Sequence, residues 1–180
     1  MKKKFGGAII DVGNVVIDHS KTTIQLVTDA LSKPELYYAI PEVEEVMDGL
    51  AGLNRLFGGN VTLLYKATDT VDWLIIGWMT YHQLTEKTGI PLSRVVRIND
   101  KSDMRDKTSH IDQSSETHER TYLVIDDRVQ VIRQFIGKVP QLFLFRPQSR
   151  EIAEHAPQGI PPMIHVVRSW REVMDYLPIT

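Results

Sequence analysis

Short apolar runs that stop abruptly alternate along this chain with segments whose apolar positions recur at helical spacing, the pattern of a parallel sheet wound with helices. Ala8-Ile9-Ile10 runs into Asp11-Val12-Gly13-Asn14, a buried strand stopping in a tight turn. Residues 21–32 place Ile24, Val27, Ala30 and Leu31 at helical intervals, and Pro34 ends that helix. A second helix is predicted from Pro41, a favoured first helical residue, to the Gly58-Gly59 stop, with Glu42, Glu44 and Glu45 near the positive end of its dipole. Residues 61–65 form the second strand. A third helix is predicted over 72–87, with Trp73, Ile76 and Leu84 on its apolar face, and a third strand over 94–98. The polar stretch 99–120 reads as a loop with a modest helix near 107–114. Residues 122–125 are continuously apolar and end in Asp126-Asp127, with a helix predicted behind them over 129–136. Strands at 141–145 and 164–167 follow, the last at an edge. Ser169 caps a final helix over 170–177, with Glu172 in capping-box position. The expectation is one α/β domain over residues 1–180, a three-layer, doubly wound (Rossmann-like) parallel sheet.

Bulk composition narrows the functional classes. Apolar residues make up 42% and charged residues 24%, ordinary for a globular chain. With 21 basic and 23 acidic residues the net charge is −2, too small a field to imply a nucleic acid or an anionic membrane as partner. No cysteine is present, which excludes disulfides and thiolate metal sites and fits a reducing cytosol best. The basic start is followed by an apolar run too short for a secretory signal, and no stretch reaches the roughly 18 apolar residues of a membrane span. The six histidines lack a close pair of metal-ligand spacing, so a zinc site is not expected.

The chemistry gathers at strand ends. Ligands of open parallel sheets bind at the carboxyl ends of strands where the strand order reverses. Asp11 ends the first strand and Asp126/Asp127 end the fourth. Like charges brought together there need a cation or a proton to relieve them, and magnesium accepts carboxylates, a backbone carbonyl and waters beside a phosphate. Taken singly, Asp11 reads equally well as a turn cap and Asp126/Asp127 as a helix-capping pair. Together at one sheet edge, they favour a site.

These residues resemble the haloacid dehalogenase-like family. Ile9-Ile10-Asp11-Val12-Gly13-Asn14-Val15 is similar to a variant of its first motif, and Leu123-Val124-Ile125-Asp126-Asp127-Arg128 to its fourth, acidic motif; the likeness covers residues 5 to 147. It implies a magnesium-dependent phosphohydrolase or phosphotransferase acting on a phosphorylated substrate. Asp11 would be the nucleophile that forms an aspartyl-phosphate. Asp11, the Gly13 carbonyl and Asp127, with Asp126 close behind, would hold Mg2+. Lys107, or Lys101 in its place, would steady the phosphate, although a solvated charged face explains either lysine nearly as well. The second-motif hydroxyl falls to Thr68, or to Tyr65 if the second strand is five residues long.

The departures matter too. The family's phosphatases carry a second aspartate two residues after the first, a general acid and base, where this chain has Gly13. Asp18 and His19 lie downstream and could reach back. The resemblance therefore also admits a domain of the same fold that has lost catalysis and kept a binding or regulatory role. Only a short helical insertion over residues 19–40 stands where many members carry a large cap. The mouth is thus expected to be open, for a bulky substrate or for a partner chain, a second copy of this one included, that completes it.

Overall fold

A computed structural model describes residues 6–99 and 121–177. Six strands, β1 (Gly7–Asp11), β2 (Val61–Ala67), β3 (Val95–Asn99), β4 (Thr121–Asp126), β5 (Gln141–Phe145) and β6 (Ile164–Val167), form one sheet in the order β3-β2-β1-β4-β5-β6. Every pairing is parallel. Such strands are covered on both faces and so read as near-continuous apolar runs. Alternation sorts their side chains: Ala8, Ile10, Leu63, Ile125 and Phe143 enter one core, and Ile9, Leu64, Val124, Leu142 and Leu144 the other. The chain is an α/β, doubly wound fold with helices on both faces.

Eight α-helices are numbered here in chain order among the described residues: α1 (Ile24–Ala30), α2 (Glu35–Tyr38), α3 (Val46–Leu56), α4 (Asp69–Tyr81), α5 (Leu84–Thr88), α6 (Val129–Ile132), α7 (Ser149–His155) and α8 (Trp170–Asp175). α3, α4 and α8 cover the larger core with Leu50, Leu53, Trp78 and Trp170. α6 and the 3-10 turn after it cover the other with Val131, Ile132 and Phe135. None of these helices is long and apolar enough to cross a membrane.

Four expectations are corrected. The helix expected from Pro41 begins at Val46, because the backbone of residues 41–43 is spent elsewhere: Asp18 N–H donates to the Pro41 carbonyl and Val43 N–H to that of Val16. The helix expected over 72–87 is two, α4 and α5, broken where Gln83 takes a left-handed φ of 56°. Trp73 lies exposed, and Leu74, Ile75, Trp78 and Met79 supply the buried face instead. β2 runs two residues past Tyr65 to Ala67. The strands at 141–145 and 164–167 lie as expected, and Ser169 Oγ accepts the Glu172 N–H at the start of α8. The helix expected near 107–114 lies outside the described residues.

Candidate active site at the sheet switch point

From β1 the chain winds outward to β2 and β3, then returns to place β4 on the other flank of β1. The crevice between the ends of β1 and β4 is therefore where the order reverses. Ile10 pairs with Ile125, so Asp11 and Asp126 are the next residues of two adjacent strands. The period of two puts Asp11 on the face of Ile9 and Asp126 on the face of Val124, which share one core. Both are buried, Asp11 at 7% and Asp126 at 2% exposure, and Asp127 is half-buried beyond them.

The turn after Asp11 is pinned to distant elements. Val16 and Ile17 N–H both donate to the Val12 carbonyl, and Asn14 N–H to that of Ile17. This curl needs a left-handed residue, and Asn14 supplies it with φ 57°, a conformation asparagine tolerates better than most side chains. Asn14 Nδ2 then donates to Asp127 Oδ2 at 2.8 Å, joining the two acidic segments across 113 residues of sequence. The buried Trp170 Nε1 donates to the Val15 carbonyl at 2.9 Å.

The carboxylates have a counter-charge in Arg128. Asp126 Oδ1 accepts the Arg128 N–H at 3.0 Å and lies 3.9 Å from Arg128 Nε. Burial disfavours the guanidinium's charge, yet Asp126, Asp11, Asp127 and Glu151 outweigh it and hold its pKa above the ordinary value. Arg128, immediately after the acidic pair, is thus part of the site. The residue was visible in the sequence, but its reach back over the pair was not.

Gly13 leaves room. A Cβ there would lie 3.7 Å from Asp11 Oδ2 and 3.6 Å from His19 Nδ1, both ordinary contacts. His19 Nε2 is 3.2 Å from the Tyr37 hydroxyl. Burial, opposed by the charge of Asp18, holds the His19 pKa below its usual value, and burial pushes Tyr37 up to about 12. Of the two downstream residues, His19 therefore faces the space above Gly13. Asp18 caps the following 3-10 turn instead, its Oδ1 accepting the Ser20 N–H at 3.0 Å.

Tyr65 stands within β2 and donates its hydroxyl to Asp72 Oδ1, a bond that with burial raises its pKa. Thr68 is the first residue beyond β2, exposed at the same strand-end edge, and its hydroxyl makes no capping bond to α4. Lys107 and Lys101 lie outside the described residues.

For a metal, the donor set is all oxygen: the Asp11, Asp126 and Asp127 carboxylates and the Gly13 carbonyl. That chemistry fits Mg2+, which keeps several waters and needs few protein ligands. Among the described residues no group of three or more His, Cys, Asp or Glu side chains stands close enough together to hold a metal ion, so the three carboxylates do not form a ready-made cage.

No family model and no curated protein matches the sequence. Solved structures do match. A haloacid dehalogenase-like hydrolase from Burkholderia xenovorans LB400 aligns with 94% of this chain and 94% of its own at a TM-score of 0.64 and 12% identity. The D,D-heptose 1,7-bisphosphate phosphatase of B. bronchiseptica, solved with magnesium and phosphate, aligns over 95% and 99% at a TM-score of 0.58 and 12% identity. Its counterpart from Burkholderia thailandensis aligns over 96% and 99% at a TM-score of 0.55 and 11% identity.

Proposed function

The chain has a haloacid dehalogenase-like fold, and on that premise we propose that it is a magnesium-dependent phosphohydrolase or phosphotransferase acting through an aspartyl-phosphate on Asp11. The observation that carries the reading is that Asp11 and Asp126 end adjacent strands at the switch point of the sheet, with Asp127 tied to the turn after Asp11 through Asn14. In this reading a carboxylate oxygen of Asp11 attacks phosphorus and the ester oxygen leaves. Water then cleaves the acyl phosphate and regenerates Asp11. Asp11, Asp127 and the Gly13 carbonyl would hold Mg2+, with Asp126 behind them. Bound there, the ion would offset phosphoryl charge. Asn14 holds Asp127 in place, and Thr68 offers its hydroxyl to a phosphoryl oxygen from the end of β2. Lys107, or Lys101, is proposed as the phosphate-steadying cation. The absence of cysteine suits work in a reducing cytosol.

The test is turnover of a broad panel of phosphate monoesters with magnesium and with EDTA, joined to beryllofluoride trapping read by 19F NMR. Metal-dependent turnover and an adduct lost in Asp11→Asn support the proposal. No turnover and no adduct would defeat it.

Arg128 favours a second reading, a domain of the same fold that binds without catalysing. A guanidinium already placed among the acids can do part of a metal's electrostatic work. Magnesium titrations of the native protein and of Arg128→Gln discriminate. If arginine has replaced the ion, magnesium raises the melting temperature of the variant alone; if the site is catalytic, it raises both.

A further inference from the structure

A cavity of about 450 Å3 opens between α1 and the beginning of α4. Its walls are hydrocarbon from Val27, Val71 and Ile75. Thr23 and Thr28 also line it, but their hydroxyls are committed to the α1 backbone: Thr23 Oγ1 accepts the Leu26 N–H, and Thr28 Oγ1 donates to the Ile24 carbonyl. Ile24, 89% exposed, lines it as well, so an isoleucine stands in water at its entrance. Leu31 adds to the apolar lining, and Thr22 and Lys66 add polar groups to it. A mostly apolar concavity of this size, with a few polar groups converging at one end, suits a small organic ligand.

One polar lining residue stands beside Asp11. His19 and Tyr37 line the cavity, and His19 Nδ1 and Asp11 Oδ2 both lie within 3.7 Å of the Cβ position above Gly13. His19 is therefore the shared wall between the hydrocarbon cavity and the attacking carboxylate. An ester whose phosphoryl group met Asp11 would carry its alcohol past His19 into the cavity.

Gly13 supplies the second argument, independent of the cavity. With no carboxyl at that position, the ester oxygen departs with little help from a proton donor. A phenol, whose pKa is about 10 as in tyrosine, carries the electron pair far better than a sugar hydroxyl does. Sugar hydroxyls would also lose their water against hydrocarbon with few partners in return.

We propose that this cavity is the leaving-group site and that the substrate is the phosphate monoester of a small phenol. The proposal rests on the phosphotransfer reading above. Asp11 forms its oxygen–phosphorus bond as the phosphorus–aryloxy bond breaks, and the phenoxide leaves with the electron pair and takes a proton from water. A second water cleaves the acyl phosphate. The net change is ester plus water to phenol plus phosphate.

The experiment uses the whole chain and separates the two claims. Methyl NMR signals of Val27, Val71 and Ile75 are followed while 4-methylphenol, which carries no phosphorus, is titrated in, with glucose as the comparison. Turnover of 4-methylphenyl phosphate and glucose 6-phosphate is measured in magnesium on the native protein and on Thr28→Trp, a cavity-filling change at an exposed position. Expected are saturable methyl shifts with 4-methylphenol and none with glucose, together with a loss in kcat/KM on Thr28→Trp at least about tenfold larger for the aryl ester than for the sugar ester. No shifts, equal shifts with glucose, or an equal loss on both esters would overturn the proposal. Specific methyl shifts without hydrolysis of either ester would keep the cavity's ligand class and defeat the function proposed above.

Discussion

The turn after β1 and the helical insertion that follows it are neighbours in sequence and opposites in construction. Residues 12–17 are held by bonds that span the chain, from Asn14 to Asp127 and from Trp170 to Val15, and Val15, Val16 and Ile17 are fully buried. α1 and α2 are two helices of seven and four residues, α1 burying a single side chain and leaving Ile24 in water. On the function proposed above, the contrast would give different work to each. Covalent chemistry needs its atoms fixed to within a fraction of an ångström, which long-range packing supplies. Recognition of a leaving group tolerates a lighter, local structure, and such segments can change without unfolding what they cover.

Asp11→Asn should have the largest effect, lowering kcat by on the order of 10⁴-fold or more with the circular dichroism spectrum retained. Residual turnover near the native rate would move the nucleophile elsewhere. Gly13→Asp comes next. The backbone there is not left-handed and a Cβ has room beside Asp11 and His19. Turnover of esters with poor leaving groups should rise by up to about 10²-fold, the lower part of what a general acid contributes. An unchanged rate would mean that His19 already supplies this proton.

Trp170→Phe tests the rigid side. It keeps most of the packing but leaves the buried Val15 carbonyl without its donor, costing about 1–3 kcal/mol in urea unfolding. On the insertion side, Ile24→Asp should change stability by no more than about 0.5 kcal/mol in the same measurement. Equal losses would erase the distinction between the two regions. The smallest effect is on pH dependence. Burial holds the His19 pKa below the ordinary imidazole value of 6.5, so the unfolded chain takes up a proton first as pH falls. Stability from this group is complete above pH 6.5 and declines as pH falls toward the lower folded value; His19→Gln should flatten that part of the unfolding profile.

The strands were legible because parallel strands buried on both faces have nowhere to place polar residues, so Tyr122 to Ile125 and Gln141 to Phe145 announce themselves. Asp11 and Asp126 were legible as breaks out of those runs. What escaped is set by tertiary contact. Pro41 has the chemistry of a helix start, but the turn after β1 takes its carbonyl. Half-buried Lys66 disguises the last part of β2, which runs on past Tyr65 to Ala67 with Thr68 just beyond it. Asn14 reaching Asp127 and Arg128 turning over the acids join segments that no local pattern connects.

The central position of β1 has a consequence for how the molecule is assembled. β1 needs neighbours on both flanks, and the later of them in the chain, β4, begins at Thr121. The Trp170 bond that steadies the turn after β1 closes 155 residues of sequence. Contacts of such span slow folding, because the loop entropy is lost before the contact forms. A nascent chain halted short of β4 therefore displays an apolar strand edge, and this is the stage at which a chaperone has the most to protect.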